Sequence, residues 1–168
     1  MKEQWRPVRE FEGVYEVSDL GNVRRIKRSK GTLPGRIITP HPTSNRGYLG
    51  MHLKDGKNRK GKLLHIMVAE AFIPNPSNLP QVNHKGLKSD CRAIMLEWRS
   101  FEGNTLDAMQ RGLLGNGKDA GVCLDKRRGK WAAKYHYNGK HVWLGYFATR
   151  DEALKVRRAA VAALPYIL

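Results

Sequence analysis

The sequence is poor in cysteine, in acidic residues and in long apolar runs, and each shortage excludes a class of protein. Only two cysteines occur in 168 residues, Cys91 and Cys123, and they form no Cys-x-x-Cys pair. A zinc ribbon or knuckle built on cysteine is thereby excluded, no zinc is expected, and free thiols suit a reducing compartment. Any metal must be held by oxygen or imidazole donors. No apolar run approaches the roughly eighteen residues of a membrane span, and the opening MKEQWRPVRE lacks the apolar stretch of a signal peptide. An intracellular protein with no membrane partner is expected. Internal repeats, RNP-type aromatic strands and a Gly-x-x-Gly loop are all missing, which disfavours the common RNA-binding modules.

Acid is the most telling shortage. Thirty-one Lys and Arg stand against fifteen Asp and Glu, leaving a net charge of +16. Such a chain attracts a polyanion. The excess is uneven. Residues 1–60 carry fourteen basic and six acidic side chains, residues 61–111 six and five, and residues 112–168 eleven and four. Two positive flanks enclose a nearly neutral middle, so grip is sought on the flanks and chemistry in the centre.

The first sixty residues read as short strands between glycine-rich turns: Val14–Val17, Asn22–Ile26, Arg36–Ile38 and Tyr48–Leu53. Leu64–Phe72 has helical spacing and is stopped by Pro74-Asn75-Pro76. A strand Pro80–His84, a polar loop, a strand Ile94–Trp98 and a helix Phe101–Arg111 follow, with Ser100 as N-cap and Gly112 as stop. That is a ββα unit. Leu114–Ala120 (LGNGKDA) is the linker. Beyond it Val122–Leu124, Lys130–Tyr137 and His141–Phe147 alternate as strands around an Asn138-Gly139 turn, and Thr149 with Glu152 opens a helix from Arg150 to about Leu164.

The expected fold is therefore α+β: a β-rich N-terminal module over 1–60, a ββα core over 61–112, a linker over 113–120, and a three-stranded antiparallel sheet with one helix over 121–168.

The ββα unit carries Asn83 and His84 at the end of its first strand and Asn104 in the first turn of its helix. Folding brings strand end and helix start together, so one imidazole and two amide oxygens could converge on a phosphate. Phosphodiester hydrolysis needs a base for water and a divalent ion at the leaving oxygen, and these groups suit both tasks.

The stretch His65–Asn104, HIMVAEAFIPNPSNLPQVNHKGLKSDCRAIMLEWRSFEGN, resembles the HNH (ββα-metal) endonucleases of phages and mobile introns. Their pattern runs through a helix, an Ile-Pro-Asn-Pro turn, Val-[Asp/Asn]-His, a polar loop, Asn-Leu-x-Trp and a later Asn. The resemblance implies that His84 is the general base and that Asn83 and Asn104 hold one Mg²⁺ or Mn²⁺. Trp5–Arg28, WRPVREFEGVYEVSDLGNVRRIKR, is similar to the module that often precedes this core. Two departures stand out. The amide before Leu-x-Trp is Met95, and the loop after His84 is about one residue short and lacks its usual Asp. They keep open an alternative reading, a catalytically impaired DNA-binding descendant of such a nuclease. Asp90 is the loop's one carboxylate. Arg111, on the helix face of Asn104, is a candidate phosphate clamp.

Gly121–Ala160 is similar to the Apetala2/ethylene-response type of DNA-binding domain through its Gly-Val, GKWAA and WLG-x-F positions. The resemblance implies a sheet in the major groove, with Trp143 and His136 at contact positions. Trp131 and Phe147 are read as sheet core against the helix. Charge picks out Arg24, Arg25, Lys27 and Arg28 on one flank and Lys126, Arg127, Arg128, Lys130 and Lys134 on the other as phosphate contacts. The expected protein is a metal-dependent, homing-type endonuclease on double-stranded DNA, acting as a monomer and encoded by a phage or mobile element.

Overall fold

The computed structural model describes residues 2–31, 33–43, 47–111, 121–137 and 139–164. Contacts divide the chain into two units, Met1–Arg99 and Ser100–Leu168. The division falls inside the expected 61–112 core, between its second strand and its helix. The expected 113–120 linker, Gly112 and Asn138 lie outside the described residues.

In the first unit, β1 (Trp5–Pro7), β2 (Tyr15–Ser18), β3 (Val23–Arg25) and β4 (Ile37–Ile38) form an antiparallel sheet in sequence order. A second sheet joins β5 (His41–Pro42), β6 (Leu49–Asp55) and β7 (Asn58–Leu63). Helix α1 (Leu64–Phe72) follows β7 directly. Leu64, Met67 and Val68 stand at i, i+3 and i+4, the spacing that puts side chains on one helix face, and all three are buried. That face joins Val8, Phe11, Val17, Val23, Leu53 and Leu96 in one core. Strands β8 (Gln81–His84) and β9 (Leu96–Arg99) pair antiparallel, with His84 opposite Leu96 and Asn83 opposite Glu97. The Trp98 indole donates to the Ile73 carbonyl at 3.0 Å, tying β9 to the end of α1.

Arg25 is the polar knot of this unit. It is 8% exposed; its guanidinium reaches the Tyr15 hydroxyl at 2.7 Å, the Lys54 carbonyl at 2.6 Å and the Lys27 carbonyl at 2.9 Å. Losing a buried charge that satisfies three oxygens typically costs a few kcal/mol. Arg25→Ala is expected to destabilise the protein by about 3 kcal/mol in urea unfolding, whereas Arg28→Ala, at an exposed site, should stay within about 0.5 kcal/mol of the parent. Equal midpoints for the two variants would contradict the assignment.

In the second unit, helix α2 (Phe101–Gln110) is capped by the Ser100 hydroxyl, which accepts from the Gly103 amide at 3.0 Å. Strands β10 (Val122–Asp125), β11 (Lys130–Tyr137) and β12 (Lys140–Phe147) form an antiparallel sheet in that order. Helix α3 (Arg150–Ala162) starts at Thr149, whose hydroxyl accepts from the Glu152 amide at 3.2 Å. Its Ala153 and Leu154 pack with Val122, Ala133, Trp131, Leu144 and Phe147 against one face of the sheet. Gly121 holds a left-handed φ of +82°, and a Cβ there would strike the Lys134 carbonyl, so only glycine fits. Among the described residues no helix is long and apolar enough to cross a membrane.

Three strands have no counterpart in the sequence reading. β1 contains Pro7, which cannot complete a ladder and is confined to a sheet edge. β5 is two residues long. β7, Asn-Arg-Lys-Gly-Lys-Leu, is solvent-facing along most of its length and has no apolar alternation to betray it.

Candidate active site

His84 closes β8, and its ring orientation follows from the loop behind it. Its Nδ1 lies 3.1 Å from the Asp90 carbonyl. A carbonyl only accepts, so Nδ1 carries the hydrogen and Nε2 carries the lone pair. The residue is 4% exposed, and burial pulls its pKa below the ordinary 6.5, against the opposing pull of the Asp90 and Leu87 carbonyls. At neutral pH the ring is an uncharged base with a fixed tautomer, the state a general base requires.

Asn83, beside it, is also buried, and its Nδ2 donates to Glu97 Oε1 at 3.1 Å. Glu97 is itself held by Arg99, with Nε and Nη2 each at 2.6 Å from Oε1. With the amide nitrogen thus engaged, Oδ1 is the acceptor end of the side chain. Sequence reading missed Glu97 and Arg99. Their signal lay in the antiparallel register, which sets position 97 opposite position 83.

Two further rings crowd His84. The His65 ring centroid is 4.8 Å away, and Tyr48 lies 5.1 Å from His65 and 5.9 Å from His84. His65 is 5% exposed, and burial, reinforced by His84, pushes its pKa from 6.5 down to about 4. A histidine neutral when folded but protonating near 6.5 when unfolded leaves the unfolded chain binding more protons between those values. Its contribution is complete above about pH 6.5, is lost as pH falls towards 4, and is worth about 3 kcal/mol. His65→Phe is expected to flatten the decline in urea stability between pH 7 and pH 4.5; an unchanged slope would contradict it.

The loop from 85 to 95 closes over this corner. The Lys85 amide donates to the Met95 carbonyl at 2.9 Å, and the Met95 amide to the Arg92 carbonyl at 2.9 Å. A Cβ at position 86 would lie 2.9 Å from the Met95 methyl, so Gly86 makes room for the thioether. Backbone bonds thus brace the loop at the position where Met95 stands in place of an amide. The Asp90 carboxylate accepts from Arg92 at 2.7 and 2.9 Å, which holds its pKa below the ordinary carboxylate range. Among the described residues no group of three or more His, Cys, Asp or Glu is placed to hold a metal ion.

In the second unit Asn104 lies in the first turn of α2, half-buried, its amide donating to the Ser100 carbonyl at 3.0 Å. Arg111 caps the same helix and reaches Asp107 at 3.2 Å.

The basic candidates divide by environment. Arg25 is withdrawn into the first unit, which corrects the expectation that it contacts phosphate: its donors are engaged inside the fold. Arg24 pairs with Glu16 at 2.6 Å and stacks on Trp5, Lys27 pairs with Asp55 at 3.0 Å, and Arg28 is exposed. In the second unit Lys126, Arg127, Arg128, Lys130 and Lys134 are exposed. Strand register sets Lys134 opposite Trp143 and His136 opposite His141, on the sheet face away from α3. Trp143 is 52% exposed beside Tyr146, with ring centroids 4.9 Å apart, and Arg128 lies over the Tyr146 ring at 4.7 Å. Trp131 and Phe147 pack on the helix side, as expected from their alternation.

Residues 3–54 match the family model described as the NUMOD4 motif. The chain is 31% identical over 126 residues to the DNA endonuclease I-HmuI of Bacillus phage SP01, covering 74% of this chain and 68% of that protein. It is 35% identical over 135 residues to HNH endonuclease L247 of Acanthamoeba polyphaga mimivirus, and 31% identical over 114 residues to L245 of the same virus. Those alignments cover 76% and 67% of this chain but only 31% and 32% of the viral proteins, so the chain spans about a third of their length. Among solved structures, the HNH homing endonuclease I-HmuI superposes with a TM-score of 0.56 at 28% identity, over 67% of this chain and 61% of that one.

Proposed function

The chain belongs to the HNH endonuclease family, and from that premise we propose that it hydrolyses phosphodiester bonds in double-stranded DNA. His84 is the general base. Its Nε2 takes a proton from water as the water oxygen attacks phosphorus in line and the bond to the 3′ oxygen breaks, that oxygen taking a proton from solvent water. The products carry 5′-phosphate and 3′-hydroxyl ends.

The observation that carries this reading is the Asp90 carbonyl on Nδ1, which favours a neutral ring with its lone pair on Nε2. Asn83 Oδ1 and the Asn104 amide oxygen are hard, neutral donors, the residues that would hold one Mg²⁺ or Mn²⁺ together with phosphate oxygens. When bound, the ion supplies charge neutralisation at the leaving 3′ oxygen. Asn83 is kept in place by Glu97, and Arg111 is the candidate clamp on the phosphate.

Grip comes from both flanks. Arg24, Lys27 and Arg28 serve on the first unit. Lys126, Arg127, Arg128, Lys130 and Lys134, with His136 and Trp143, serve on a sheet face that we read as similar to the Apetala2 type. One chain carries one such site, so a monomer nicks one strand. The phage and mimivirus relatives support a homing-type enzyme of viral or mobile-element origin.

Met95 in place of the amide favours the alternative, a binder without catalysis. Supercoiled plasmid with Mg²⁺ or Mn²⁺ separates the two. Nicked circles are expected; a shifted but intact plasmid would establish the alternative.

A further inference from the structure

Strand β11 outruns its neighbour. Its ladder with β10 ends at the pair Val122 and Ala133, and from Lys134 to Tyr137 it pairs with β12 alone. Along that open edge lies a cleft of about 300 Å³, at the small end of the range of ligand-binding clefts. Thr105 and Met109 of α2, Lys134 and Tyr135 of β11 and Arg157 of α3 line it. Among the described residues no acidic side chain does.

Arg157 is the feature that calls for an occupant. It is half-buried, and its Nε donates to the Lys134 carbonyl at 3.3 Å. A Cβ on Gly121 would stand 2.7 Å from that Nε, so the missing side chain makes room for the guanidinium. Burial pulls the Arg157 pKa below the usual guanidinium range, yet a guanidinium stays protonated in proteins and cannot shed the cost that way. A charge drawn out of water needs a countercharge. Among the described residues no carboxylate pairs with Arg157, and Lys134 adds a second positive charge to the same cleft.

The fitting occupant is therefore an anion, and the rest of the lining narrows its chemistry. A bare inorganic ion would leave Met109 and Tyr135 uncovered, whereas a phosphodiester brings a sugar to lie on them. Helix α2, which supplies Met109, is also the helix that carries Asn104. We propose that the cleft binds one backbone phosphate of duplex DNA, with Arg157 and Lys134 on its oxygens and the adjoining sugar against Met109 and Tyr135. The contact adds α3 to the DNA grip and fixes the strand against α2. It rests on the DNA-binding part of the function proposed above and not on the chemistry at His84.

The test uses full-length His84→Ala protein and the shortest plasmid fragment that it retains in a gel shift. Each phosphate of that duplex is replaced in turn by an uncharged methylphosphonate. At one position the replacement is expected to weaken binding by roughly tenfold, the effect of losing one charge-assisted contact. Adding Arg157→Gln should cost about the same factor on the natural duplex and leave that one replacement almost without effect, within about twofold. Lys134→Gln, at an exposed position that leaves α3 untouched, should blunt the same position, and Arg158→Gln, exposed on α3, should leave it fully sensitive. A duplex on which no phosphate couples to Arg157, or an Arg157→Gln variant that binds as tightly as its parent, overturns the proposal and leaves DNA binding standing. Inorganic phosphate that protects the parent but not Arg157→Gln from urea, with DNA binding unchanged, would give the cleft to a free anion and overturn it too. Retention of no fragment at all overturns the DNA reading and this proposal together.

Discussion

His84→Ala is expected to cut DNA about 10²–10⁴-fold more slowly than the parent while binding it with undiminished affinity. The size follows from the role. An alanine cannot accept the water proton, so attack must proceed through bulk solvent, yet none of the exposed cations on the flanks is touched. The two readings must be made on one preparation, by gel shift and by conversion of supercoiled plasmid to nicked circles. Because His84 is buried, its removal also leaves a small cavity beside His65 and Tyr48. His84→Gln keeps more of that volume and should lose activity just as fully. A variant that binds normally and still cuts at the parental rate would remove His84 from the mechanism.

The second large effect is that of salt. The chain's +16 charge is concentrated at its two ends. If the flanks neutralise roughly eight phosphates, log K should fall against log salt with a slope of about −7, a loss of several orders of magnitude in affinity between about 50 and 200 mM. Filter binding across that range reads the slope directly. Removing one exposed contact, as in Lys130→Ala, should make it shallower by about one unit, whereas Arg25→Ala should not change it, since that guanidinium faces inward. A flat dependence would mean that the basic flanks do not track the backbone.

Much of this was legible in the residues, for reasons that differ by element. α1 announced itself by apolar spacing and two prolines, and its observed bounds, Leu64–Phe72, are those expected. α3 announced itself by a Thr and Glu cap, and the hairpin of β11 and β12 by alternation. The residues proposed for the site stand out as types at fixed intervals, because a base and two amides are what the proposed chemistry calls for whatever the surroundings. What stayed hidden was relational. Arg24 and Arg25 are adjacent in sequence and equally basic, yet β3 turns one towards Glu16 and Trp5 and the other into the Tyr15 knot. Only the strand register decides which is which. Glu97 gains its part from facing Asn83 across a ladder, and Arg99 from holding Glu97; neither partnership leaves a mark in a linear string.

The decisive measurement is the coupling between positions 84 and 104 during cleavage. In the proposed mechanism the His84 imidazole and the Asn104 amide work on one phosphate. Groups that act as a unit are lost together, so the double variant His84→Ala with Asn104→Ala should cut at about the rate of the slower single variant. Losses that multiply would show two independent effects and would dissolve the single site on which the proposed chemistry depends.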